Sequence, residues 1–221
     1  MSEEEGARVL LPPRPTESDP EAWKTYWEAR GQPWRTEPEI SAERQAELAQ
    51  CCTIVPDIQR DIYPFKGMKL SRADIEWLLA THENGCGPID WSDTNQQERR
   101  GLDVRGADLR GAQLQKLPLA CLQAGLTLEE YGQATEEQRD MAGVLMEGAD
   151  LSGAQLQGAV LIRAQLQKAK LSKAQLQRAF LDEARSQEAN FRDAQLQRTR
   201  LGGAQLQRAN LSGASGKYDI L

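Results

Sequence analysis

Residues 149–213 read ADLSG AQLQG AVLIR AQLQK AKLSK AQLQR AFLDE ARSQE ANFRD AQLQR TRLGG AQLQR ANLSG, a tandem array of five-residue blocks. Each block holds a small residue, usually Ala, and two positions later a Leu or Phe, except that Ser186 takes the Leu place in one block. An α-helix turns by about 100° per residue, so a five-residue period would scatter the Leu side chains around the helix. A β-strand alternates its faces, so an odd period would send successive Leu side chains to opposite faces.

A chain that turns a corner once in every block can bury both the Ala column and the Leu column. Four blocks then close a square coil of about 20 residues, and successive coils stack at the inter-strand spacing of about 4.8 Å. The array therefore predicts a mainly β fold, a quadrilateral β-solenoid with a narrow apolar core.

The same pattern starts earlier, in LDVRG ADLRG AQLQK LPLAC LQAG over residues 102–125, where Ala124 marks a weaker fifth block. The period then breaks over residues 126–143. Thr127 with Glu130, and Thr135 with Gln138, fit the capping box S/T-x-x-E/Q, which predicts two short helices looped out of the coil.

The first hundred residues do not repeat. They hold all five Trp residues, between Trp23 and Trp91. Asp19, Ser41 and Ser71 are N-cap candidates for three helices. Because a solenoid end exposes apolar core and unpaired backbone groups, we expect these helices to cap its N-terminal end. The Trp cluster is expected to be core, with a ligand cage as the alternative.

These patterns divide the chain into five parts. They are a loose N-terminal segment 1–20, a helical cap region 21–100, the first repeats 101–125, a helical insert 126–143, and the main solenoid with its C-terminal end, 144–221.

The repeats resemble those of the pentapeptide-repeat family, whose motif is A-(D/N)-L-x-x. Ala107-Asp108-Leu109, Ala149-Asp150-Leu151 and Ala209-Asn210-Leu211 match the motif in full. The resemblance implies a right-handed quadrilateral β-helix and says little about activity, because the family shares a fold rather than a function. The Trp-rich N-terminal region is similar to that of bacterial pentapeptide-repeat proteins of unassigned function.

No residue pattern points to catalysis, so we expect neither an enzyme nor a bound cofactor. His82 is the only His, lacks a candidate nucleophile as partner, and is expected to contact backbone carbonyls at a helix end. Cys51, Cys52, Cys86 and Cys121 have no C-x-x-C spacing, which favours free thiols over a disulfide or a metal site. No catalytic or metal-binding residue is predicted.

Gln residues recur every ten positions in the main array. With four blocks per coil, Gln155, Gln175 and Gln195 should stack on one face, and Gln165, Arg185 and Gln205 on the opposite face. Stacked amides can form hydrogen-bonded ladders. Such a ladder would stabilise the solenoid or serve as a recognition surface. The uniform AQLQ blocks are equally compatible with recent duplication and with engineering.

The net charge of -6 is unevenly distributed, since residues 1–140 carry -10 and residues 141–221 carry +4. The basic side chains of the repeats are scattered and have no interleaved aromatics, so nucleic-acid binding is not expected. The best-known members of the family mimic DNA and bind DNA gyrase. That alternative requires a strongly negative rod, because duplex DNA carries one charge per about 1.7 Å.

We expect a protein partner of unknown identity for a structural or interaction solenoid. The insert residues Leu128 and Tyr131 are candidates for contacting it. No apolar run is long enough to cross a membrane, and the acidic start MSEEEGARVLLPPRP is unlike a signal peptide. The expected location is therefore the cytoplasm.

The C-terminal end follows the last block with GASGKYDIL and no further helix. Tyr218, Ile220 and Leu221 could fold back over the final coil or pack against a second copy. Relatives that dimerise through this end favour a two-fold, end-to-end homodimer.

Overall fold

The computed structural model describes residues 11–16 and 19–216. Helices occupy its first part and the insert, and stacked coils form the remainder. The α-helices are α1 (Pro20–Glu28), α2 (Ala42–Cys52), α3 (Arg72–Gly85), α4 (Leu128–Gln133) and α5 (Glu136–Ala142), with a 3-10 turn at Thr94–Gln96.

Helix caps lie where the sequence predicts them. Asp19 accepts from the backbone N–H of Glu21 at the start of α1, and Ser41 accepts from that of Arg44 at the start of α2. α3 starts with a reciprocal capping box between Ser71 and Asp74. α4 and α5 start with the predicted capping boxes as well. Each cap satisfies backbone donors that the first helical turn leaves without partners.

Backbone pairing in the repeats has a period of 20 residues. Gln155 forms a parallel bridge with Gln175, which bridges to Gln195, and the same step recurs throughout the main array. Within the described repeats, the bridged positions fall into four columns, five residues apart along the chain, and each pairing is a single bridge rather than a longer strand. The prediction of a β-solenoid in place of helices over 149–213 is confirmed.

The Ala and Leu columns form the core. Ala174 and Leu176 are fully buried, as are their equivalents in the neighbouring coils. In each block the N–H of the small residue donates to the carbonyl three positions earlier, as Ala154 does to Leu151 at 3.0 Å. This bond closes the turn, so one short contact per block converts the five-residue period into a corner.

The corners use left-handed backbone, and mostly without glycine. Gly203 occupies one corner with φ +66°, but Lys173 and Arg178 adopt φ 59° and 60° at equivalent corners. A non-glycine residue in this region costs about 1 kcal/mol or more relative to its ordinary conformation. The repeated bridges and turn bonds of the stack therefore hold these charged corner residues in place.

The N-terminal region packs on the first coil, which contains the bridged positions 103, 108, 113 and 118. Lys69 bridges to Asp108, and the Leu70 N–H donates to the Asp108 carbonyl at 3.0 Å. Ile75 and Leu78 of α3 join the same buried cluster as the Leu residues of the first coil. The first coil is thus covered by apolar side chains and paired backbone.

The insert leaves the solenoid turn intact. Asp108 bridges to Leu145, 37 positions later instead of 20, so 17 residues are looped out. The N–H of Val144 nevertheless donates to the carbonyl of Ala124 at 2.9 Å, the same turn bond that closes an uninterrupted block. The insert is therefore an addition to a complete corner.

Candidate interaction surface

Ion pairs hold the insert against the flank of the solenoid. Arg163 lies at a corner of the third coil, residues 160–179. It pairs with Glu136 and with Asp140, the latter at 3.1 Å. Arg105 of the first coil pairs with Glu130 at 3.0 Å. The Arg163 side chain is 11% exposed. The acidic insert thus docks on basic positions of several coils.

Tyr131, an interaction candidate in the sequence, is half-buried and takes part in this docking. Its hydroxyl donates to Glu183, which also accepts from Arg163. Burial, with the hydrogen bond to Glu183 second, raises the pKa of Tyr131. Burial also favours the neutral form of Glu183, but hydrogen bonds from Tyr131 and Arg163 outweigh it and lower the pKa of that carboxyl.

An apolar cluster joins the insert to the N-terminal region. Leu126, Ala134 and Ala142 of the insert pack with Tyr63, and Ile58 lies against them. Burial raises the pKa of Tyr63 to about 12. The insert consequently bridges the solenoid and the segment around residues 55–63.

Exposed apolar side chains concentrate around this junction. Among the described residues, six large apolar side chains are exposed, and five lie in segments 54–62 and 128–141. Val55 is 82% exposed, and Leu128, the second insert candidate, is 44% exposed. Exposed apolar side chains in two segments that meet beside the insert make this junction a candidate interaction site.

Two grooves flank α4. One, of about 540 Å³, lies between α4 and the solenoid face that carries Val160, Ile162 and Phe180. The other, of about 470 Å³, lies between α4–α5 and residues 55–59. The first has oppositely charged Arg105 and Glu130 paired in its wall. Both grooves depend on the insert for one side.

The Gln columns stack in the predicted register. Gln155, Gln175 and Gln195 bridge in sequence, and the opposite column does the same; its members are Gln165, Arg185 and Gln205. Their amides do not bond straight along the column, however. The hydrogen bonds run diagonally, because the Gln after a central Leu donates to the Gln before the central Leu of the next coil.

Gln157, for example, donates to Gln175 at 2.6 Å, and Gln177 donates to Gln195. The side-chain oxygens of the donors Gln157 and Gln177 are buried without a partner among the described residues. The ladder is thus only half satisfied. The ten-residue spacing of Gln did not predict these bonds, because each donor lies in a different column from its acceptor.

The C-terminal candidates Tyr218, Ile220 and Leu221 lie outside the described residues. The final described coil is less well covered than those before it. Leu206 and Leu211 are partly exposed, whereas Leu166 and Leu171, two coils earlier in the same columns, are fully buried.

The residues considered for chemistry have structural contacts. His82 Nε2 lies 2.7 Å from the carbonyl oxygen of Arg100, so its carbonyl contact is outside its own helix. Trp23 and Trp27 are buried and stacked, and the Arg35 guanidinium lies 3.5 Å from the Trp27 ring centroid. Among described residues, no group of His, Cys, Asp or Glu is arranged to hold a metal ion. No described helix is long and apolar enough to cross a membrane.

Comparison with known proteins assigns the repeats. Residues 145–182 and 189–215 match the family of pentapeptide repeats, with 8 copies. These two segments of the solenoid are pentapeptide repeats. The matched segments leave out residues 183–188, where Ser186 replaces the central Leu. The family match is therefore interrupted at the same block that departs from the Ala and Leu pattern in the sequence.

Several solved structures to which this chain is similar are pentapeptide-repeat proteins. One from the thylakoid lumen of Arabidopsis thaliana is 26% identical, with 52% of this chain and 66% of that chain covered and a TM-score of 0.34. One from Nostoc PCC 7120 is 25% identical, with 52% and 84% covered and a TM-score of 0.29. QnrB1, a plasmid-mediated fluoroquinolone resistance protein, is 17% identical, with 54% and 64% covered and a TM-score of 0.28. A search of curated proteins gave no significant match.

Proposed function

We propose that this protein is a non-enzymatic interaction protein, in which a right-handed quadrilateral pentapeptide-repeat solenoid presents the insert to a protein partner. The observation that supports this proposal is the splice at Ala124 and Val144, whose turn bond is complete without the insert. The insert adds exposed apolar side chains, among them Leu128 and Met141, and is held in one position by ion pairs. The coil closes without the insert, so binding of a protein partner gives the insert a role.

The proposal includes the division of the chain. Residues 21–100 are the helical cap region, 101–125 the first repeats, 126–143 the insert, and 144–221 the main solenoid with its C-terminal end. It also includes a cytoplasmic location. The packing of α3 on the first coil and the resumption of the repeat at Leu145 support these boundaries.

Affinity capture with the intact chain and with a chain lacking 126–142 tests the proposal. We expect a captured protein that, once purified, binds the intact chain and loses binding to the deleted chain. Equal binding to both chains would place the partner surface elsewhere and overturn the proposal.

The charge of the solenoid counts against DNA mimicry. The third coil, residues 160–179, carries five basic side chains and no acidic one. A mimic of duplex DNA needs the opposite sign along its axis. We expect no inhibition in a gyrase supercoiling assay at concentrations well above those of a specific inhibitor.

We further propose that the C-terminal end pairs with a second copy. Within the described range, residues 200–215 bridge to the preceding coil and to no later residue. Unpaired edge groups and partly exposed Leu206 and Leu211 favour end-to-end closure. Light scattering should give a dimer for the intact chain and a monomer for a chain lacking 216–221. A monomeric intact chain at tens of micromolar would refute it.

A further inference from the structure

The groove between the insert and residues 55–59 has an apolar wall that remains open. Val55, Ile58 and Ala134 contribute to it, and Val55 is 82% exposed. The volume of about 470 Å³ is enough for one or two side chains of a partner and falls in the range of ordinary binding clefts. The side facing Val55 belongs to the insert, so the groove exists because the insert is docked.

The polar lining of this groove is uniform in one respect. Each polar side chain that lines it carries an acceptor oxygen, and none is a cation: they are Asp57, Gln59, Glu130, Gln133 and Gln138. A partner that fits this lining presents hydrogen-bond donors, and cationic donors are the strongest complement to carboxylates.

The two carboxylates have different availability. Glu130 is engaged by Arg105 at 3.0 Å. Asp57 Oδ1 accepts from the backbone N–H of Arg60 at 3.1 Å, whereas Asp57 Oδ2 has an ion pair with the Arg60 side chain at 3.6 Å, and that side chain is 79% exposed. Such an exposed pair contributes little and is easily exchanged. Asp57 is therefore the carboxylate that a cationic partner can recruit.

The net negative charge of the insert also favours a cationic partner. Residues 126–142 contain five acidic side chains and one basic side chain, Arg139. The Arg139 guanidinium is turned toward Tyr131, 4.1 Å from its ring centroid, and donates to the Tyr131 carbonyl. It does not line the groove. Polyanions and the acidic start of this same chain are poor occupants for this reason.

We propose that the groove between residues 55–59 and the insert binds a basic, amphipathic peptide segment of a partner protein. This inference rests on the proposed interaction function and names the partner class. An apolar side chain of the segment packs against Val55 and Ile58, and a Lys or Arg beside it pairs with Asp57. Apolar anchors in a groove with charged groups at the edge are a common way of binding short segments.

Selection of short peptides from a random displayed library on the intact chain tests the inference. We expect enrichment of peptides that place Lys or Arg next to an apolar residue. A selected peptide should bind the Asp57→Lys and Val55→Ser variants at least about tenfold more weakly than the unsubstituted chain, since each change removes one part of the match. Both positions are substantially exposed, so the variants should fold.

Asp193→Lys is the matched control. Asp193 is an exposed corner residue that does not line the groove. The equivalent corner one coil earlier is Lys173, so a Lys fits this backbone conformation. The control changes net charge by the same amount, so the affinity should change by less than about twofold if the groove is the site. Equal weakening by Asp57→Lys and Asp193→Lys would show attraction to overall charge and overturn the inference.

Three further outcomes overturn it: enrichment of acidic or uncharged peptides, no enrichment at all, and self-association of the chain through the groove. Self-association through the groove would appear in light scattering of the peptide-free chain, and Val55→Ser would abolish it, unlike pairing through the C-terminal end. A failed peptide selection together with a partner that depends on residues 126–142 would refute the groove and leave the proposed function standing.

Discussion

Removing residues 126–142 and joining Gly125 to Gly143 should give an uninterrupted solenoid. The turn bond from Val144 to Ala124 is already present at 2.9 Å. The two glycines lie over consecutive residues of the next coil. A Cβ on Gly125 would lie 2.2 Å from the carbonyl oxygen of Ile162, and one on Gly143 would lie 2.6 Å from that of Arg163. The two ends of the junction therefore occupy neighbouring places in one corner.

The expected change in the free energy of unfolding is small, because two contributions oppose each other. Removing a closed loop of 17 residues saves about 2.5 kcal/mol of loop-closure entropy. Losing the buried side chains of Leu126 and Ala142 costs about 2–4 kcal/mol. The insert carboxylates that pair with the largely buried Arg105 and Arg163 are partly exposed, so losing these three pairs costs about 1 kcal/mol or less each. We expect the deleted chain to be less stable by about 0–4 kcal/mol.

Urea unfolding followed by circular dichroism measures this difference, and hydrogen exchange at Val144 and Val160 locates it. Both amides should stay protected in the deleted chain. The matched control removes 127–142, one residue fewer, which leaves the repeat out of phase by one position. If the out-of-phase chain were as stable as the in-phase chain, or if the first two coils lost protection in the in-phase chain, the splice argument would be wrong.

Three other perturbations test the core and the docking of the insert. Leu176→Ala empties a fully buried site and should lower the free energy of unfolding by about 2–5 kcal/mol in urea titrations. Ser186→Leu should raise the urea midpoint, because the Ser186 hydroxyl is buried without a hydrogen-bond partner among the described residues; a clear drop would indicate a bulged block or a well-bonded hydroxyl. The pKa values of Glu130 and Glu183 are lowered in the folded chain, so their contribution is present above the ordinary value of 4.5 and is lost as the pH falls through the lowered values. Limited proteolysis of the insert should accordingly be constant at pH values above 4.5 and accelerate as the pH falls below that value, and an unchanged rate there would contradict the role of these carboxylates.

The period and the caps could be predicted because they are local. A five-residue spacing of Ala and Leu leaves one way to bury both columns, so the coil and its register follow from the pattern. The capping boxes at Ser71, Thr127 and Thr135 follow in the same way, since donor and acceptor lie three positions apart. The irregular block at Ser186 was equally visible, and its hydroxyl is indeed buried.

The corners and the candidate surface could not be read in the same way. Glycine is the usual signal for a left-handed turn, and Lys173 and Arg178 carry no such signal. The groove at Val55 forms where two segments about 75 positions apart in sequence meet. Neither segment carries a sequence pattern that predicts this contact. The sequence offers Tyr131 as an interaction candidate in the insert, whereas its hydroxyl is bonded to Glu183, 52 positions later. Contacts of this range depend on how the insert folds back, which the repeat pattern does not specify.

The uneven charge of the chain also has a structural explanation. Arg163 is one of five basic residues in an acid-free coil, and it contacts Glu136 and Asp140 of an insert with five acidic residues. The opposite charges of the two parts thus meet at one corner, where burial of Arg163 to 11% exposure strengthens the pairing. These docking pairs do not include Asp57, which lines the groove beside residues 55–59. The acidic side chains therefore contribute to two surfaces, one that positions the insert and one that we propose a cationic partner binds.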